Sequence, residues 1–153
     1  MKVFATIAEL EQAVGSHLGH SDWHPVTQQM IDLFADVTGD HQWIHIDVDR
    51  AKNGPFKAPI AHGYLTLSLT SMLTAEIYRL DGMQMVVNYG ADRVRFPAPV
   101  PVDSALRAGV ELRSIRPTPR GHQVDTRVTV ERRGTDRPAC VIDRITLVVP
   151  RSG

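Results

Sequence analysis

The spacing of apolar residues changes midway along the chain. In the first part they recur every third or fourth position, which is the spacing of a helix with one buried face. Residues 6–14 are therefore predicted to form a short helix with Thr6 as its N-cap. A second helix is predicted to start after Thr27 and to end at Gly39. The apolar faces consist of Ile7, Leu10 and Val14 in the first helix, and Met30, Phe34 and Val37 in the second.

The segment between Gly39 and Gly63 is a long polar connection rich in His, Asp, Gly and Pro. Connections of this length inside a compact domain are usually functional. Asp49 is predicted to cap a one-turn helix over residues 50–53. From about Gly63 to Arg79 the pattern is helical and apolar nearly all round, so this helix is predicted to be surrounded by protein on most sides. Its apolar residues are Leu65, Leu67, Leu69, Met72, Leu73 and Ile77.

After Gly82 apolar residues alternate with polar ones, as in strands with one buried face. Strands are predicted around residues 84–96, 106–112, 123–131 and 141–149. The apolar sets are Leu106, Ala108, Val110 and Leu112; then Val124, Val128 and Val130; then Val141, Ile145, Leu147 and Val149, interrupted by Asp143. The prolines of PAPVPVDS exclude a central strand at that point.

One buried helix followed by four long antiparallel strands predicts an α+β fold in which the sheet wraps around the helix. We find no repeat, low-complexity tract or long linker, so residues 1–153 are predicted to form a single domain. A sheet of four or five strands leaves its edges unprotected. Edge pairing or helix packing between two copies would cover them.

The composition is globular, with 42% hydrophobic residues among 153. Lys plus Arg and Asp plus Glu both total 17, which leaves no net attraction to nucleic acid or to an anionic membrane. Arg93 and Arg95 could reach the phosphates of a ligand, although exposed strand arginines are more often simply solvated. The single cysteine, Cys140, excludes an internal disulfide framework, and its apolar surroundings favour a buried structural residue.

No secretory signal is recognisable at the N-terminus, MKVFATIAELEQAVG, so a cytoplasmic location is predicted. One long uncharged stretch runs from His62 to Ala75. It is shorter than the ~20 residues of a membrane span, and it contains several Ser and Thr residues. It is therefore interpreted as a buried helix, with no membrane association.

Asp40 and His45 lie five positions apart in the polar connection, and a carboxylate beside an imidazole suits paired proton transfer. The spacing alone is weak evidence, because loops also collect Asp for turns and caps. His41 and His45 have the i, i+4 spacing of metal ligands. They lack the glutamate of a zinc-protease motif and a nearby cysteine, and no metal is predicted.

His62 and Gly63 open the apolar helix, where unpaired N–H groups and the helix dipole favour negative charge. The Gly63 N–H is a candidate donor to an oxyanion, and glycine admits close approach of a substrate. A tight turn alone would also explain this glycine. Ser68, farther along the helix, can hydrogen-bond back to the carbonyl of residue i−4. Glu76 is interpreted as a solvated residue at the far end.

The segments DVTGDHQWIHIDVDRAKNGPFKAPIAHGYLTLSL and VRFPAPVPVDS together resemble the MaoC-like, (R)-specific enoyl-CoA hydratase family of hot-dog folds. The wording GDHQWIH, IAHG and RFPAPVPV is most similar to its single-domain, nodulation-protein-N-like branch. The resemblance covers roughly residues 20–150. It implies a long central helix wrapped by an antiparallel sheet, a homodimer, and a substrate tunnel formed partly by the partner subunit.

The resemblance also implies a reaction, the reversible hydration of trans-2-enoyl-CoA to (R)-3-hydroxyacyl-CoA without a cofactor. It assigns catalysis to Asp40 and His45, and substrate binding to Gly63, Ser68 and the adjoining His62. Two alternatives remain open, a hot-dog thioesterase and a non-catalytic acyl-CoA-binding module. The preferred acyl length, and the choice between coenzyme A and acyl carrier protein, do not follow from the sequence.

Overall fold

Four long strands build the antiparallel sheet of the computed structural model, which describes Met1–Arg151. The strands of this sheet are β2 (His17–His20), β3 (His24–Pro25), β5 (Met83–Arg95), β6 (Ala105–Thr118), β7 (Gly121–Arg132) and β8 (Cys140–Pro150). The long strands lie in the order β6, β7, β8, β5, so β5 is an edge. The short strands β2 and β3 extend the sheet at its other side, because both pair with β6. Two further strands, β1 (Lys2–Phe4) and β4 (Tyr78–Leu80), pair in parallel.

Five helices complete the fold, and the longest packs against the inner face of the sheet, at β6, β7 and β8. They are α1 (Ile7–Gln12), α2 (Gln28–Thr38), α3 (Trp43–Ile46), α4 (Val48–Asn53) and α5 (Gly63–Ala75). The core lies between α5 and the sheet and includes Leu65, Leu73, Val110 and Val128, each at most 6% exposed. This arrangement confirms the predicted α+β hot-dog fold, in which a sheet curves around a central helix. None of the described helices is long and apolar enough to cross a membrane.

The predicted N-caps of the first two helices and the predicted end of the second are confirmed, whereas α1 ends at Gln12 rather than at Val14. The hydroxyl of Thr6 accepts the N–H of Glu9 at the start of α1, and Thr27 accepts the N–H of Met30 at the start of α2. Gly39 ends α2 with a φ of 76°, in the left-handed region that favours glycine.

The predicted cap of the one-turn helix is wrong by two residues. Asp47, and not Asp49, caps α4 by accepting the N–H of Arg50 at 3.0 Å. The sequence did not reveal α3, which ends at Ile46 and so makes Asp47 the first residue free to cap the next helix. The polar connection therefore contains two short helices, and residues 54–62 between α4 and α5 are irregular.

The predicted extent and burial of α5 also need correction. The helix ends at Ala75 rather than Arg79, because residues 78–80 leave it to pair with β1. One side is exposed in the single chain, where Tyr64 is 70% and Met72 is 42% accessible. The prediction that protein surrounds this helix on most sides is thus wrong for one chain alone.

The prediction of which face of β8 is buried is wrong. The apolar set Val141, Ile145, Leu147 and Val149 lies on the half-exposed outer face with Asp143. The buried set is Cys140, Ile142, Arg144, Thr146 and Val148. Antiparallel register is the reason, since Val128 of β7 already faces inward and lies directly opposite Ile142.

Candidate active site

Three polar side chains meet where α2, α3 and α5 come together. Asp40 follows the end of α2, His45 belongs to α3, and His62 is the N-cap of α5. One carboxylate or ring-nitrogen atom of each lies within 4.8 Å of those of the other two. The fold thus brings together residues that are 22 positions apart, on the count from Asp40 to His62.

His45 is buried, and one of its ring nitrogens has a fixed role. Its Nδ1 lies 2.6 Å from the carbonyl oxygen of Ile60. A carbonyl only accepts, so Nδ1 carries the proton and the neutral ring keeps its lone pair on Nε2. No group within Met1–Arg151 forms a hydrogen bond with Nε2, so this nitrogen is available as a base.

The surroundings of His45 keep the imidazole neutral. Burial is the largest influence and lowers its pKa from the usual 6.5, and the neighbouring His62 lowers it further. The bond to Ile60 and the charge of Asp40 act in the opposite direction without reversing the shift. At neutral pH the ring can therefore accept a proton from water.

The position of His45 is set by its backbone and by the segment that precedes α5. Gln28 of α2 donates its side-chain N–H to the His45 carbonyl at 2.8 Å. The N–H of Ile60 bonds to the Ile44 carbonyl at 3.0 Å, which ties the segment before α5 to α3. Since the Ile60 carbonyl also holds the ring, this short segment orients both the helix and the imidazole.

His62 is 3% exposed and stacks on His45, with ring centroids 3.7 Å apart. Its Nε2 donates to the backbone carbonyl of Asp40 at 2.9 Å. Its Nδ1 is buried without a hydrogen-bond partner among the described residues. The sequence grouped His62 with substrate binding, and in the structure a hydrogen bond and ring stacking connect it to Asp40 and His45.

Asp40 is exposed in the single chain and faces the histidine pair. One carboxylate oxygen accepts the N–H of Gln42 at 3.4 Å, and its own N–H bonds to the Thr38 hydroxyl at 3.4 Å. A carboxylate held near a neutral imidazole can share a water molecule with it, and both groups can exchange protons with that water.

Gly63 is the first residue of α5, so its N–H has no acceptor inside the helix. The ring of Phe96 lies against it, and an added Cβ would be 3.1 Å from ring carbons Cδ2 and Cε2. A side chain at this position would force the aromatic ring to move by a few tenths of an ångström. Phe96 follows directly after β5, and no sequence pattern indicated a role for it.

The other candidate residues lie apart from this cluster. The hydroxyl of Ser68 donates to the Tyr64 carbonyl at 2.7 Å, the i−4 bond that the sequence allowed. His41 is exposed and its Nε2 lies 3.0 Å from Asp36, so it does not join His45. Arg93 and Arg95 are exposed, and Glu76 at the far end of α5 contacts His24 at 2.6 Å.

Comparison with known proteins gives consistent results along nearly the whole chain. A family model described as "MaoC like domain" matches residues 9–133. The chain is 45% identical over 150 residues to 3-hydroxyacyl-thioester dehydratase Z of Mycobacterium tuberculosis, covering 97% of this chain and 99% of that protein. It is 40% identical over 146 residues to Nodulation protein N of Rhizobium leguminosarum bv. viciae, covering 94% and 91%.

Solved structures show the same fold. The unliganded (R)-hydratase PhaJ1 of Pseudomonas aeruginosa matches with a TM-score of 0.75 and 25% identity, over 94% of this chain and 85% of that one. An (R)-hydratase from A. caviae matches with a TM-score of 0.71 and 23% identity, over 90% and 96%. The segment that carries Asp40, His45 and Gly63 lies inside the residues matched by the family model.

Proposed function

Because the chain belongs to the MaoC-like domain family, we propose that it hydrates trans-2-enoyl thioesters to (R)-3-hydroxyacyl thioesters, and catalyses the reverse dehydration. The chain is an enzyme of the hydro-lyase class. Coenzyme A is the favoured carrier, and residues 1–153 act as one hot-dog domain. The observation that carries the proposal is the pairing of Asp40 with a neutral His45 whose Nε2 is free.

In this mechanism one water molecule binds between Asp40 and the Nε2 of His45. The pair removes a proton from the water as its oxygen bonds to C3 of the enoyl group. The pair then returns a proton to C2, so it starts and ends the reaction in the same protonation state. Addition from one side accounts for a single stereochemical product, because both groups lie on the same side of the substrate.

The thioester oxygen gains negative charge when water adds at C3. The N–H of Gly63 is unpaired within α5 and lies at the positive end of the helix dipole. We assign it to bind this oxygen, since a donor fixed before the reaction stabilises charge that develops during it. Ser68 lies farther along α5 and is assigned to the wall of the acyl site.

Replacement of either member of the pair tests the proposal directly. Asp40→Asn and His45→Gln should each lower the rate of crotonyl-CoA hydration by about 100-fold or more, because each removes a proton-transfer group. Loss of enoyl absorbance measures the rate, and circular dichroism checks the fold. Dialysis against EDTA should leave the wild-type rate unchanged, since the proposed proton transfers need no metal.

The neighbouring Asp36 and His41 provide matched controls. They also form an Asp–His pair, with 3.0 Å between His41 Nε2 and Asp36 Oδ1, but the pair is exposed and separate from the site. Asp36→Asn and His41→Gln should keep the wild-type rate. Undiminished hydration by Asp40→Asn would contradict the assignment.

The thioesterase alternative receives no support from the far end of α5. A hot-dog thioesterase would need an acidic residue on the central helix, and Glu76 is the acidic residue at the end of α5. Its carboxylate accepts the N–H of Asp22 and contacts His24. It lies 13 residues beyond Gly63, or about 20 Å along the helix axis. Release of free thiol from crotonyl-CoA, measured in the same assay, should stay at the background rate. Tight acyl-CoA binding without turnover would instead indicate the binding module.

We further propose that two copies form a homodimer through β5 and the exposed side of α5. β5 is an edge strand whose residues are mostly exposed, including Val86 at 51% and Tyr89 at 68%. Tyr64 and Met72 continue this apolar surface onto α5. An unpaired edge beside exposed aromatic and aliphatic side chains is the type of surface that a second copy covers.

A further inference from the structure

A groove runs along α5 between this helix and the inner face of β5 and β8. It consists of two adjoining cavities of about 340 and 460 Å³. Both are lined by Ser71, Asn88 and Arg144, so they lie next to each other along the helix. The groove begins at Leu67, one turn beyond Gly63, so an acyl chain whose thioester is bound at Gly63 has this space in front of it.

Arg144 is unusual in this position because it is buried and has no counter-charge. Its side chain reaches into the groove, and the residue is 8% exposed. Its two Nη atoms donate to the hydroxyls of Thr74 at 3.1 Å and Tyr78 at 2.9 Å. Within Met1–Arg151 no carboxylate lies within 4.0 Å of it, and its Nε has no hydrogen-bond partner. A buried cation without an anion is costly, so a missing partner is indicated.

Two buried hydroxyls beside Arg144 are also without partners. Thr126 lies directly opposite Arg144 on β7, and Thr146 is the next inward residue on β8. Both residues are at most 4% exposed, and neither Oγ1 forms a hydrogen bond within the described chain. Native proteins leave few buried polar groups unpaired. Arg144 Nε and these two hydroxyls are three such unpaired groups on neighbouring positions of the sheet. Together they indicate a site for a polar ligand.

We propose that Arg144 binds a carboxylate at the far end of the substrate's acyl chain. This inference rests on the proposed hydratase function and specifies its substrate class. Thr74, which Arg144 contacts, lies 11 residues beyond Gly63, or about 16 Å along α5. That distance corresponds to an acyl chain on the order of ten carbons. The planar guanidinium matches a carboxylate with paired hydrogen bonds.

A methyl-ended chain is the disfavoured substrate in this groove. It would remove water from Arg144 and supply no hydrogen bonds in return, which penalises an apolar ligand. A short chain such as crotonyl ends well before Arg144, so Arg144 should not affect its hydration. Comparing a short, a methyl-ended and a carboxylate-ended chain therefore separates hydration itself from recognition of the chain end.

The test compares wild-type kcat/KM for crotonyl-CoA, trans-2-decenoyl-CoA and trans-2-decenedioyl-CoA. We expect the carboxylate-ended substrate to be preferred over the methyl-ended one by about 10- to 100-fold, as for a charge-assisted hydrogen bond. Arg144→Met should abolish that preference and leave crotonyl-CoA hydration unchanged. Arg144→Lys, which keeps the charge and loses the planar fork, should retain part of it.

The wild-type comparison decides the question even if Arg144→Met fails to fold. Suppose that crotonyl-CoA is hydrated and that the methyl-ended and carboxylate-ended substrates have equal kcat/KM values. The inference is then overturned, and the proposed function stands. The inference is also overturned if Arg144→Met dissociates the dimer without changing the substrate preference. Arg144 would then pair with a carboxylate of the second copy and not with the substrate.

Failure of the proposed function gives a different result. In that case none of the three thioesters is hydrated, and calorimetric titration of the wild-type protein replaces the rate assay. Binding of decenedioyl-CoA at least tenfold tighter than decenoyl-CoA, lost in Arg144→Met, would still support the carboxylate site. Equal affinities would overturn it.

Discussion

His45 and His62 stack on each other, yet their ring nitrogens have different partners. His45 donates a hydrogen bond from its Nδ1–H to the Ile60 carbonyl and keeps Nε2 free, whereas His62 donates from Nε2 to the Asp40 backbone carbonyl. The first ring is therefore suited to proton transfer and the second to positioning. His45 was a candidate from its spacing to Asp40, and His62 from its place at the start of the apolar helix. Neither pattern could distinguish these roles, because tautomers depend on contacts.

The lowered pKa of His45 predicts the pH dependence of the enzyme. Protonation of Nε2 removes the lone pair that accepts the proton of water, so activity should fall as the pH decreases. Because burial lowers the pKa, the midpoint of this fall should lie below the usual 6.5. The measurement is kcat/KM for crotonyl-CoA across the acidic to neutral range.

His41→Gln is the control for this pH profile. His41 is exposed, and its hydrogen bond to Asp36 is the main cause that raises its pKa, so its titration is separate from that of His45. The variant should reproduce the wild-type curve. A midpoint above 6.5 in the wild type would mean that another group controls the acidic limb.

At the scale of elements, the packing of α3 against α4 fixes the position of His45, which belongs to α3. Trp43 opens α3 and packs beneath Arg50 of α4, whose guanidinium carbon is 4.4 Å from the ring centroid. Gly54 ends α4 directly beside the same ring, and an added Cβ would lie 2.9 Å from Trp43 Cζ3. The missing side chain of Gly54 thus sets where α3 can sit.

Gly54→Ala should disturb the site without touching a proton-transfer group. The added methyl forces Trp43 to shift, and this overpacking costs about 1–3 kcal/mol of stability. His45 follows Trp43 by two residues in the same helix, so it should move with Trp43. We expect a lower melting temperature together with a lower kcat for crotonyl-CoA. Thermal unfolding and steady-state kinetics measure the two effects.

Trp43→Phe in the same background tests the cause. The smaller ring makes room for the methyl group, so the double variant should recover part of both losses, as expected for residues in contact. Loss of activity that the second substitution leaves unchanged would place the effect elsewhere in α4.

The element that the sequence described least well is β8. Alternation was recognised correctly, but its more apolar face was assumed to be the buried one. Arg144 and Thr146 face α5 instead, because the register with β7 leaves no choice once Val124 and Val128 face inward. The polar groove, and with it the proposed carboxylate site, could not be found from the pattern of this strand alone.

At the scale of the whole molecule, the exposed surface of β5 and α5 predicts the oligomeric state. Light scattering coupled to size exclusion should give twice the mass of one chain for the wild type. Val86→Lys combined with Tyr89→Lys should give the mass of a single chain, because buried lysines would oppose close packing of the two edges.

Val37→Lys is the control for this surface. Val37 is 86% exposed on α2, outside the proposed interface, so its replacement should leave the dimer intact. A wild-type protein that has the mass of one chain at all concentrations would contradict the homodimer.

The sequence by itself determined α1 and α2 with their N-caps, the central helix α5, the four long strands, and the order of Asp40, His45 and Gly63 along the chain. These features are local, because a cap or a period of two depends on residues only a few positions apart. The family resemblance added the reaction. The short strands β1 to β4 escaped detection, since each forms only through pairing with a distant segment.

Only the tertiary structure decided how these parts act on one another. It stacked His62 on His45, selected the Ile60 carbonyl that fixes the tautomer, and placed Phe96 against Gly63. It also turned Arg144 into the groove. Each of these contacts joins residues at least 15 positions apart, and it is fixed by sheet register and helix packing, which no local pattern encodes.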